Sequence, residues 1–309
     1  MKYTKRFFSS SSYLLSILHK DGIKKQFVSP LDEIKKQKFN DPLNEASFSK
    51  AKGLIHRYPD RVVLTVTNRC FGYCKFCFRK KNWFDFEGFD LDGAIDYLKR
   101  HTRIREVLIS GGDPFFLNNA ELEKILSEIR SIEHIEVIRI GTRALSTNPM
   151  RMDKKTLSLL TKYKPIWIAI HINHPDELTL EFERIVKDTV DSGIPVVSQT
   201  VLLKGINDDS KILKKLFCRL VYLGIKPYYL FGCDAATGNE KFRVSIEKAL
   251  SVMDSLRGNV SGLCVPTFAF DLPNGGGKIV LEPQKLIKRD NNRYKFVNFE
   301  HTEYDYEDI

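Results

Sequence analysis

The chain has 309 residues and a formal net charge of +10; 42% of its residues are hydrophobic and 28% are charged. This composition is that of a folded globular protein, and no apolar run approaches the roughly 18 residues that a membrane-spanning helix needs. The length suits one large α/β domain or two small ones.

The chain begins with a basic N-terminal extension, residues 1–55. Eleven Lys and Arg face five Asp and Glu before residue 57, a local charge of +6. We favour a solvated basic surface over a nucleic-acid site, although both are typical of such a balance. The first twenty residues contain no acid, which is only a weak similarity to an organelle targeting peptide. Asp41-Pro42-Leu43 predicts a turn and then a linker.

From His56 onward, apolar runs alternate with segments of helical periodicity. Strands are predicted at 62–66, 107–109, 135–140, 166–171, 195–203 and 226–231. Helices are predicted near 91–99, 120–132, 154–163, 177–192, 210–223 and 245–256. Six strand–helix units in a row predict an α/β fold, an open (β/α)6 partial barrel with a parallel sheet inside a layer of helices. We assign this catalytic domain to residues 56–286 and a C-terminal tail to 287–309.

Cys70, Cys74 and Cys77 follow the first strand with the spacing C-x3-C-x2-C. Three thiolates suit a [4Fe–4S] cluster with one iron left open, because such a cluster normally takes four cysteines. A structural zinc site is the alternative, but it usually needs four protein ligands, and no second C-x2-C pair is present. The clustering of three of the six cysteines, without a signal peptide, predicts a reducing, cytoplasmic compartment.

Polar residues at the ends of later strands are the next candidates, because the carboxyl ends of barrel strands share one mouth. Gly111-Gly112-Asp113 follows the second strand, and paired glycines let the backbone approach a ligand closely. Gln199 interrupts a buried strand and needs a hydrogen-bond partner. His171 and His174 are assigned to the core or to the support of other site residues, because no matching carboxylate or third histidine accompanies them.

The segment Gly275-Gly276-Gly277-Lys278 places a lysine on a compliant loop. Such a lysine can form a Schiff base with pyridoxal phosphate, although a solvated lysine on a flexible loop is the alternative. Arg57 and Arg61 stand before the first strand, and their guanidinium groups match phosphate oxygens. Asp234 and Asp271 each follow an apolar run. They could hold a cationic substrate group or could serve as helix caps.

The chain resembles the lysine 2,3-aminomutase family of radical S-adenosylmethionine enzymes between about residues 53 and 286. The resemblance is carried by HRYPDRV (56–62), CFGYCKFC (70–77), SGGD (110–113), HINHPDE (171–177), SQTVLLKGIND (198–208), PYYLFGCD (227–234) and VPTFAFDLPNGGGK (265–278). It implies an isomerase with three cofactors, a [4Fe–4S] cluster, S-adenosylmethionine and pyridoxal 5′-phosphate. It also implies an amino acid substrate and an external electron donor.

Residue roles follow from this resemblance. The three cysteines would ligate the cluster, and Gly111, Gly112, Asp113 and Gln199 would contact S-adenosylmethionine. Lys278 would bind pyridoxal phosphate covalently, with Arg57 and Arg61 on its phosphate. Arg79 would pair with the substrate carboxylate. Asp234 and Asp271 would hold the ε-ammonium group of lysine.

The implied reaction converts L-lysine to β-lysine. A radical made from S-adenosylmethionine takes a hydrogen atom from C3, the amino nitrogen moves from C2 to C3, and the hydrogen returns. The same chemistry on arginine or glutamate is an alternative, although two aspartates oppose an anionic side chain. An iron–sulfur or zinc module that binds nucleic acid is a second alternative, and it leaves Lys278 and both aspartates unexplained.

The sequence also departs from the enzymes that act on free lysine. Asp209 stands where those enzymes have a cysteine, and residues 294–309 contain none. Their intersubunit zinc site is therefore not expected, so the predicted homo-oligomer need not be their tetramer. CFR (77–79) and HINHPDE resemble the branch that supplies β-lysine for elongation factor P. Asp271 and the glycine-rich segment resemble the free-lysine branch.

Overall fold

One sheet of ten strands, arranged in chain order, organises the structure. The computed structural model describes residues 10–27, 40–290 and 293–308. The strands are β1 (Ser49–Ala51), β2 (Leu54–Tyr58), β3 (Arg61–Thr65), β4 (Glu106–Ser110), β5 (Val137–Thr142), β6 (Ile166–His171), β7 (Val196–Leu202), β8 (Ile225–Gly232), β9 (Thr267–Leu272) and β10 (Gly277–Val280). Strands β3 to β9 are parallel to one another, whereas β1, β2 and β10 are antiparallel to their neighbours.

Helices precede the sheet and fill the connections between its parallel strands. Those that precede the sheet are α1 (Ser12–Ile17) and α2 (Asp21–Phe27). The others are α3 (Asn82–Asp85), α4 (Leu91–Arg100), α5 (Asn119–Arg130), α6 (Ala144–Thr147), α7 (Lys154–Lys162), α8 (Leu180–Asp191), α9 (Ser210–Tyr222) and α10 (Ile246–Leu256). Within the described residues, no helix is long and apolar enough to span a membrane.

The predicted strands are confirmed to within two residues at each end, and the sheet is open between β1 and β10. The six predicted strand–helix units are confirmed, and β9 follows them as a seventh parallel strand beside β8. Helix α8 begins later than predicted. Thr179 caps it by accepting a hydrogen bond from the Phe182 amide, and a short 3-10 turn over Pro175–Glu177 precedes it.

Alternation along the strands divides side chains between the helix layer and the barrel interior. In β4, Val107 and Ile109 are fully buried in the core, whereas Leu108 and Ser110 line an interior cavity. Helix α4 turns a single stripe of Ala94, Ile95 and Leu98 toward the sheet, as an amphipathic helix does. The fold thus buries one set of strand residues and presents the other to the site.

The predicted N-terminal extension and C-terminal tail both contain β-strands. The hairpin of β1 and β2 joins the main sheet across the predicted boundary at residue 56. Most of the predicted tail forms a separate antiparallel sheet of β11 (Leu286–Asp290), β12 (Arg293–Val297) and β13 (Glu303–Glu307). Residues 1–9 and 28–39 of the basic extension lie outside the described residues. The predicted domain limits stay predictions.

Candidate active site

Two adjoining cavities contain the residues singled out in the sequence. The thiol cavity, of about 320 Å³, is lined by Cys70, Cys74, Cys77, Arg79, Gly111, Gly112, Asp113, Gln199, Asp234, Asp271 and Lys278. The arginine cavity, of about 460 Å³, is lined by Arg57 and Arg61. Arg79, Gln199, Asp271 and Lys278 line both cavities. The barrel therefore brings residues from opposite ends of the sequence to one site.

The three cysteine thiols are free and surround part of the thiol cavity. Burial raises the pKa of all three thiols, and that of Cys77 rises to about 12. Among the described residues, no three His, Cys, Asp or Glu side chains converge as ligands of a single metal ion. All three thiols line the same cavity, as the ligands of one [4Fe–4S] cluster would.

Helices α1 and α2 cover the loop that carries the cysteines. The Ser11 amide donates to the Phe71 carbonyl at 2.8 Å, and the Lys75 amide donates to the Gln26 carbonyl at 2.9 Å. Leu14 and Phe27 belong to a small apolar cluster that also packs against Cys74. The N-terminal helices thereby shield one side of the thiol cavity from solvent.

A buried ion pair lies directly behind the cysteine loop. Arg143 and Glu177 are 8% and 2% exposed, and Nη2 of Arg143 is 3.0 Å from Oε2 of Glu177. Arg143 also donates to Sγ of Cys74 at 2.7 Å and to Oε1 of Gln26. Glu177 Oε1 accepts the amide of Asn173 at 2.9 Å. This network fixes α2, the cysteine loop and the end of β6 relative to one another.

Removal of the Glu177 carboxylate should destabilise the fold strongly, because it leaves the Arg143 charge buried and uncompensated. We expect Glu177→Ala to lower the free energy of unfolding by roughly 3–5 kcal/mol. The matched control is Glu183→Ala, which breaks the partly exposed pair with Arg219 and should cost less than about 1 kcal/mol. Anaerobic urea unfolding would measure both. Equal losses in the two variants would contradict a special role for the buried pair.

The Gly111-Gly112-Asp113 segment packs against the cysteine loop. A Cβ on Gly112 would lie 2.3 Å from the carbonyl oxygen of Arg69, so this position requires glycine. The Asp113 carboxylate accepts hydrogen bonds from the Thr142 hydroxyl and the Arg143 amide, both at 2.8 Å. Asp113 therefore organises the loops, and a direct contact with S-adenosylmethionine stays a prediction for this segment.

Lys278 lies on a strand and not on the compliant loop that its glycines predicted. In the β9–β10 hairpin it stands opposite Asp271, and its Nζ is 3.0 Å from Asp271 Oδ2. Its backbone amide donates to the Tyr58 hydroxyl at 3.0 Å, and its Nζ lies 4.1 Å from the centroid of the Phe231 ring. The hairpin holds the amino group in the region shared by the two cavities.

The arginine cavity places several guanidinium groups around one space. Nε of Arg57 donates to the Gly275 carbonyl at 2.8 Å, and Arg61 pairs with Asp60 at 2.8 Å while lying over the Tyr58 ring. Arg139 also lines this cavity and is paired with Glu106. Arg61 and Glu106 are the first residues of β3 and β4, so this cavity lies near the strand beginnings and not at the predicted mouth.

Two of the substrate candidates are already paired with other residues of the site. Arg79 does not stand free, because its guanidinium is paired with Glu45, with 2.6 Å between Nη2 and Oε1. Asp271 pairs with Lys278 as described above. Burial, followed by the negative charge of Asp271, raises the pKa of Asp234 to about 7. Both cations and anions therefore line the site.

Two known families match this chain. The family model of the radical SAM superfamily matches residues 64–216, and the model named Lysine-2,3-aminomutase matches residues 253–308. The L-lysine 2,3-aminomutase of Clostridium subterminale is 38% identical over 300 residues, which cover 93% of this chain and 72% of that protein. The chain belongs to the lysine 2,3-aminomutase family.

Other similar proteins include aminomutases named for lysine and for glutamate and a more distant solved structure. The L-lysine 2,3-aminomutase of Methanococcus maripaludis is 42% identical over 92% of this chain and 67% of that protein. The glutamate 2,3-aminomutase of Clostridioides difficile is 37% identical over 81% of this chain and 60% of that protein. Among solved structures, SuiB of Streptococcus suis aligns with a TM-score of 0.51 and 18% identity over 69% of this chain and 50% of that chain. The last likeness shows the fold alone.

Lysine 2,3-aminomutases are radical S-adenosylmethionine isomerases that use a [4Fe–4S] cluster and pyridoxal phosphate, and the residues present fit these groups. The three thiols line one cavity, where they could ligate the same cluster. Lys278 offers a primary amine beside the arginine cavity, whose guanidinium groups suit a phosphate. The side chain of Gln199 lines both cavities and makes no hydrogen bond within the described part of the chain, so its amide is available to a ligand.

Several residues of the site were missed in the sequence. Arg143 follows the end of β5 and could have been found by the same strand-end rule that singled out Asp234. Glu45, Tyr58 and Glu177 carry no such signal, because their roles depend on contacts with residues far away in the chain. The family assignment supports an enzyme over the alternative of an iron–sulfur or zinc module that binds nucleic acid.

Proposed function

We propose that this chain interconverts L-lysine and β-lysine by moving the amino group between C2 and C3. The observation that carries the proposal is the placement of Asp234 and Asp271 in the same cavity as Arg79 and Lys278. A lysine bound there has an anionic carboxylate for Arg79 and a cationic ammonium for the aspartates. A glutamate would bring a second carboxylate against the two aspartates, which is unfavourable in a poorly solvated site.

The residues have separate tasks in this proposal. The cluster with S-adenosylmethionine supplies one-electron hydrogen transfer, and pyridoxal phosphate supplies the carbonyl that carries the migrating nitrogen. Cys70, Cys74 and Cys77 hold the first group, and Arg57 and Arg61 hold the phosphate of the second. The exchange of a hydrogen and an amino group between C2 and C3 leaves the composition of the amino acid unchanged.

Lys278 and Asp271 are coupled through their ion pair. Lys278 would hold pyridoxal phosphate through Nζ, which is the atom that Asp271 contacts. Asp234 lines the same cavity as this pair. The two carboxylates together supply the negative charge that a substrate with an ammonium side chain needs.

An anaerobic turnover assay tests the proposal. The reconstituted enzyme would receive a reductant, S-adenosylmethionine and lysine, arginine or glutamate, and β-amino acids would be separated by chromatography with mass detection. β-Lysine as the preferred product supports the proposal. Preferred formation of β-glutamate or β-arginine would show that the reaction is correct but that lysine is not the substrate. No β-amino acid from enzyme with a full cluster would overturn the proposal.

The acidity of Asp234 predicts a pH dependence. Because its pKa is raised to about 7, the carboxyl is largely protonated at about pH 6 and attracts an ammonium group only as the pH rises. We expect kcat/KM for lysine to increase roughly tenfold between about pH 6 and pH 8. In Asp271→Asn, loss of the neighbouring negative charge should move this rise to lower pH. A rise that stays at the same pH would contradict the assignment to Asp234.

The proposal includes an external electron donor, a homo-oligomer and a cytoplasmic location. Delivery of β-lysine to elongation factor P, in place of free metabolism, remains the alternative destination of the product.

A further inference from the structure

The segment before β1 does more than link the extension to the barrel. Residues 40–48, here called the strap, contact the loop after β8, which carries Asp234, and the turn after β9, the strand that carries Asp271. Nδ2 of Asn40 donates to the Ala235 carbonyl at 3.2 Å, and its Oδ1 accepts the Thr237 amide at 2.8 Å. The Asn274 amide donates to the Pro42 carbonyl at 3.3 Å. The strap therefore crosses from the loop after β8 to the β9–β10 turn.

Apolar contacts fix the strap against the site. Leu43 lines both cavities. Phe48 fills the space beside Gly275, where a Cβ would lie 2.6 Å from the Phe48 ring. Gly275 has a φ of +80°, so only glycine is well suited to this turn. The guanidinium of Arg57 lies 4.9 Å from the centroid of the Phe48 ring. The strap is thus packed against the hairpin that carries Lys278.

Glu45 of the strap binds one edge of the Arg79 guanidinium through two hydrogen bonds. Its carboxylate accepts from Nε at 2.9 Å and from Nη2 at 2.6 Å, and Nη1 donates to the Ser110 hydroxyl at 3.1 Å. A guanidinium has five N–H bonds. Within the described residues, these contacts use three of them, so one N–H remains on each of the two terminal nitrogens.

We propose that Glu45 is a positioning residue that holds Arg79 so that its remaining N–H bonds receive the α-carboxylate of the substrate. This inference rests on the proposed function, in which Arg79 binds that carboxylate. Arginine recognises carboxylates best through two parallel hydrogen bonds. Because Glu45 already fixes one edge of the Arg79 guanidinium, the side chain loses little further rotational freedom when the substrate binds to the remaining N–H bonds.

The structure favours a Glu45 that stays on Arg79 over one that the substrate displaces. Its side chain is 17% exposed, so a displaced carboxylate would be left largely buried and unpaired. Its negative charge already contributes, after burial and the charge of Asp271, to the raised pKa of Asp234, so loss of the Arg79 partner would leave a further uncompensated anion in the site. Its backbone is also fixed, because the next amide, that of Ala46, donates to Asp41 Oδ2 at 3.0 Å.

The test compares ligands that differ only at the carboxylate. In the reconstituted enzyme, Glu45→Gln should raise KM for lysine roughly tenfold or more, because the amide cannot accept two charge-assisted hydrogen bonds. L-Lysinamide, which lacks the carboxylate, would serve as a competitive inhibitor. Its inhibition constant should change less than about twofold in the same variant. Ser47→Ala, an exposed change in the same strap, is the matched control.

Three results would overturn the inference. Equal weakening of lysine and L-lysinamide would make Glu45 a structural residue of the strap. A lower KM for lysine would show that Glu45 competes with the substrate. Unchanged lysine binding would show that Glu45 has no effect on Arg79. Arg79→Ala separates the underlying proposal: if that variant leaves KM for lysine unchanged, Arg79 does not bind the carboxylate, whatever Glu45→Gln shows.

Discussion

Replacement of Lys278 by alanine should abolish covalent binding of pyridoxal phosphate and reduce β-lysine formation by at least about a thousandfold. Lys278 lies between the two cavities, with its amino group beside Phe231 and Asp271. Alanine removes the amine but leaves the arginine cavity in place. Borohydride reduction of the holoenzyme, followed by peptide mapping, would locate the attached cofactor directly. We expect the label on the peptide that contains Lys278 and its loss in the variant.

The controls for this prediction separate chemistry from folding. Lys288→Ala changes an exposed lysine on β11 and should leave the labelling at Lys278 intact. Lys278→Met keeps most of the apolar stem over Phe231 and should also lose the label. Iron content should be the same in all three variants, because none of the changes touches the cysteine loop. A cofactor that remains covalently attached in Lys278→Ala would show that another amine holds it.

The barrel could be predicted from the sequence because its signals are local and repeat. Apolar runs such as 166–171 alternate with helical segments, and each strand is delimited by polar or glycine residues. The residues at strand ends then follow from the rule that these ends share one mouth. Asp234 and Asp271 were found in this way and Cys70 by the spacing of the cysteines, and the cavity brings the three together.

The parts that could not be predicted depend on contacts between distant segments. Glu45 and Arg79 are 34 residues apart, and Arg143 and Glu177 are also 34 residues apart. Arg143 could be found at the end of a strand, but nothing in the local sequence pairs it with Glu177 or pairs Arg79 with Glu45. The glycines before Lys278 were interpreted as a flexible loop. In the structure they permit a tight turn that packs on Phe48 and leads into a regular strand.

The arrangement of charge explains how one site can hold both ends of an amino acid. Arg79 is already balanced by Glu45, so the carboxylate would be recognised mainly through oriented hydrogen bonds and not through a large excess of positive charge. At the other end, Asp271 is paired with Lys278, whose charge also acts on Asp234. The selectivity for the side chain should therefore come mainly from the two aspartates.

Neutralisation of these aspartates should change selectivity as well as rate. We expect Asp271→Asn and Asp234→Asn each to lower kcat/KM for lysine by roughly 2–4 kcal/mol, or about thirtyfold to a thousandfold, because each leaves a buried ammonium with one anion fewer. Binding of L-norleucine, which is apolar where lysine carries its ammonium, should weaken far less. Asp188→Asn, an exposed change on α8, is the matched control for both measurements.

The comparison of lysine with norleucine distinguishes a lost charge from a damaged cavity. A distorted cavity weakens both ligands, whereas a lost counter-charge weakens only the cationic one. The double variant should lose less than the sum of the two single losses, because the aspartates interact with each other and with the same ammonium. A double variant whose preference for lysine over norleucine equals that of the unmodified enzyme would show that the side-chain ammonium is bound elsewhere.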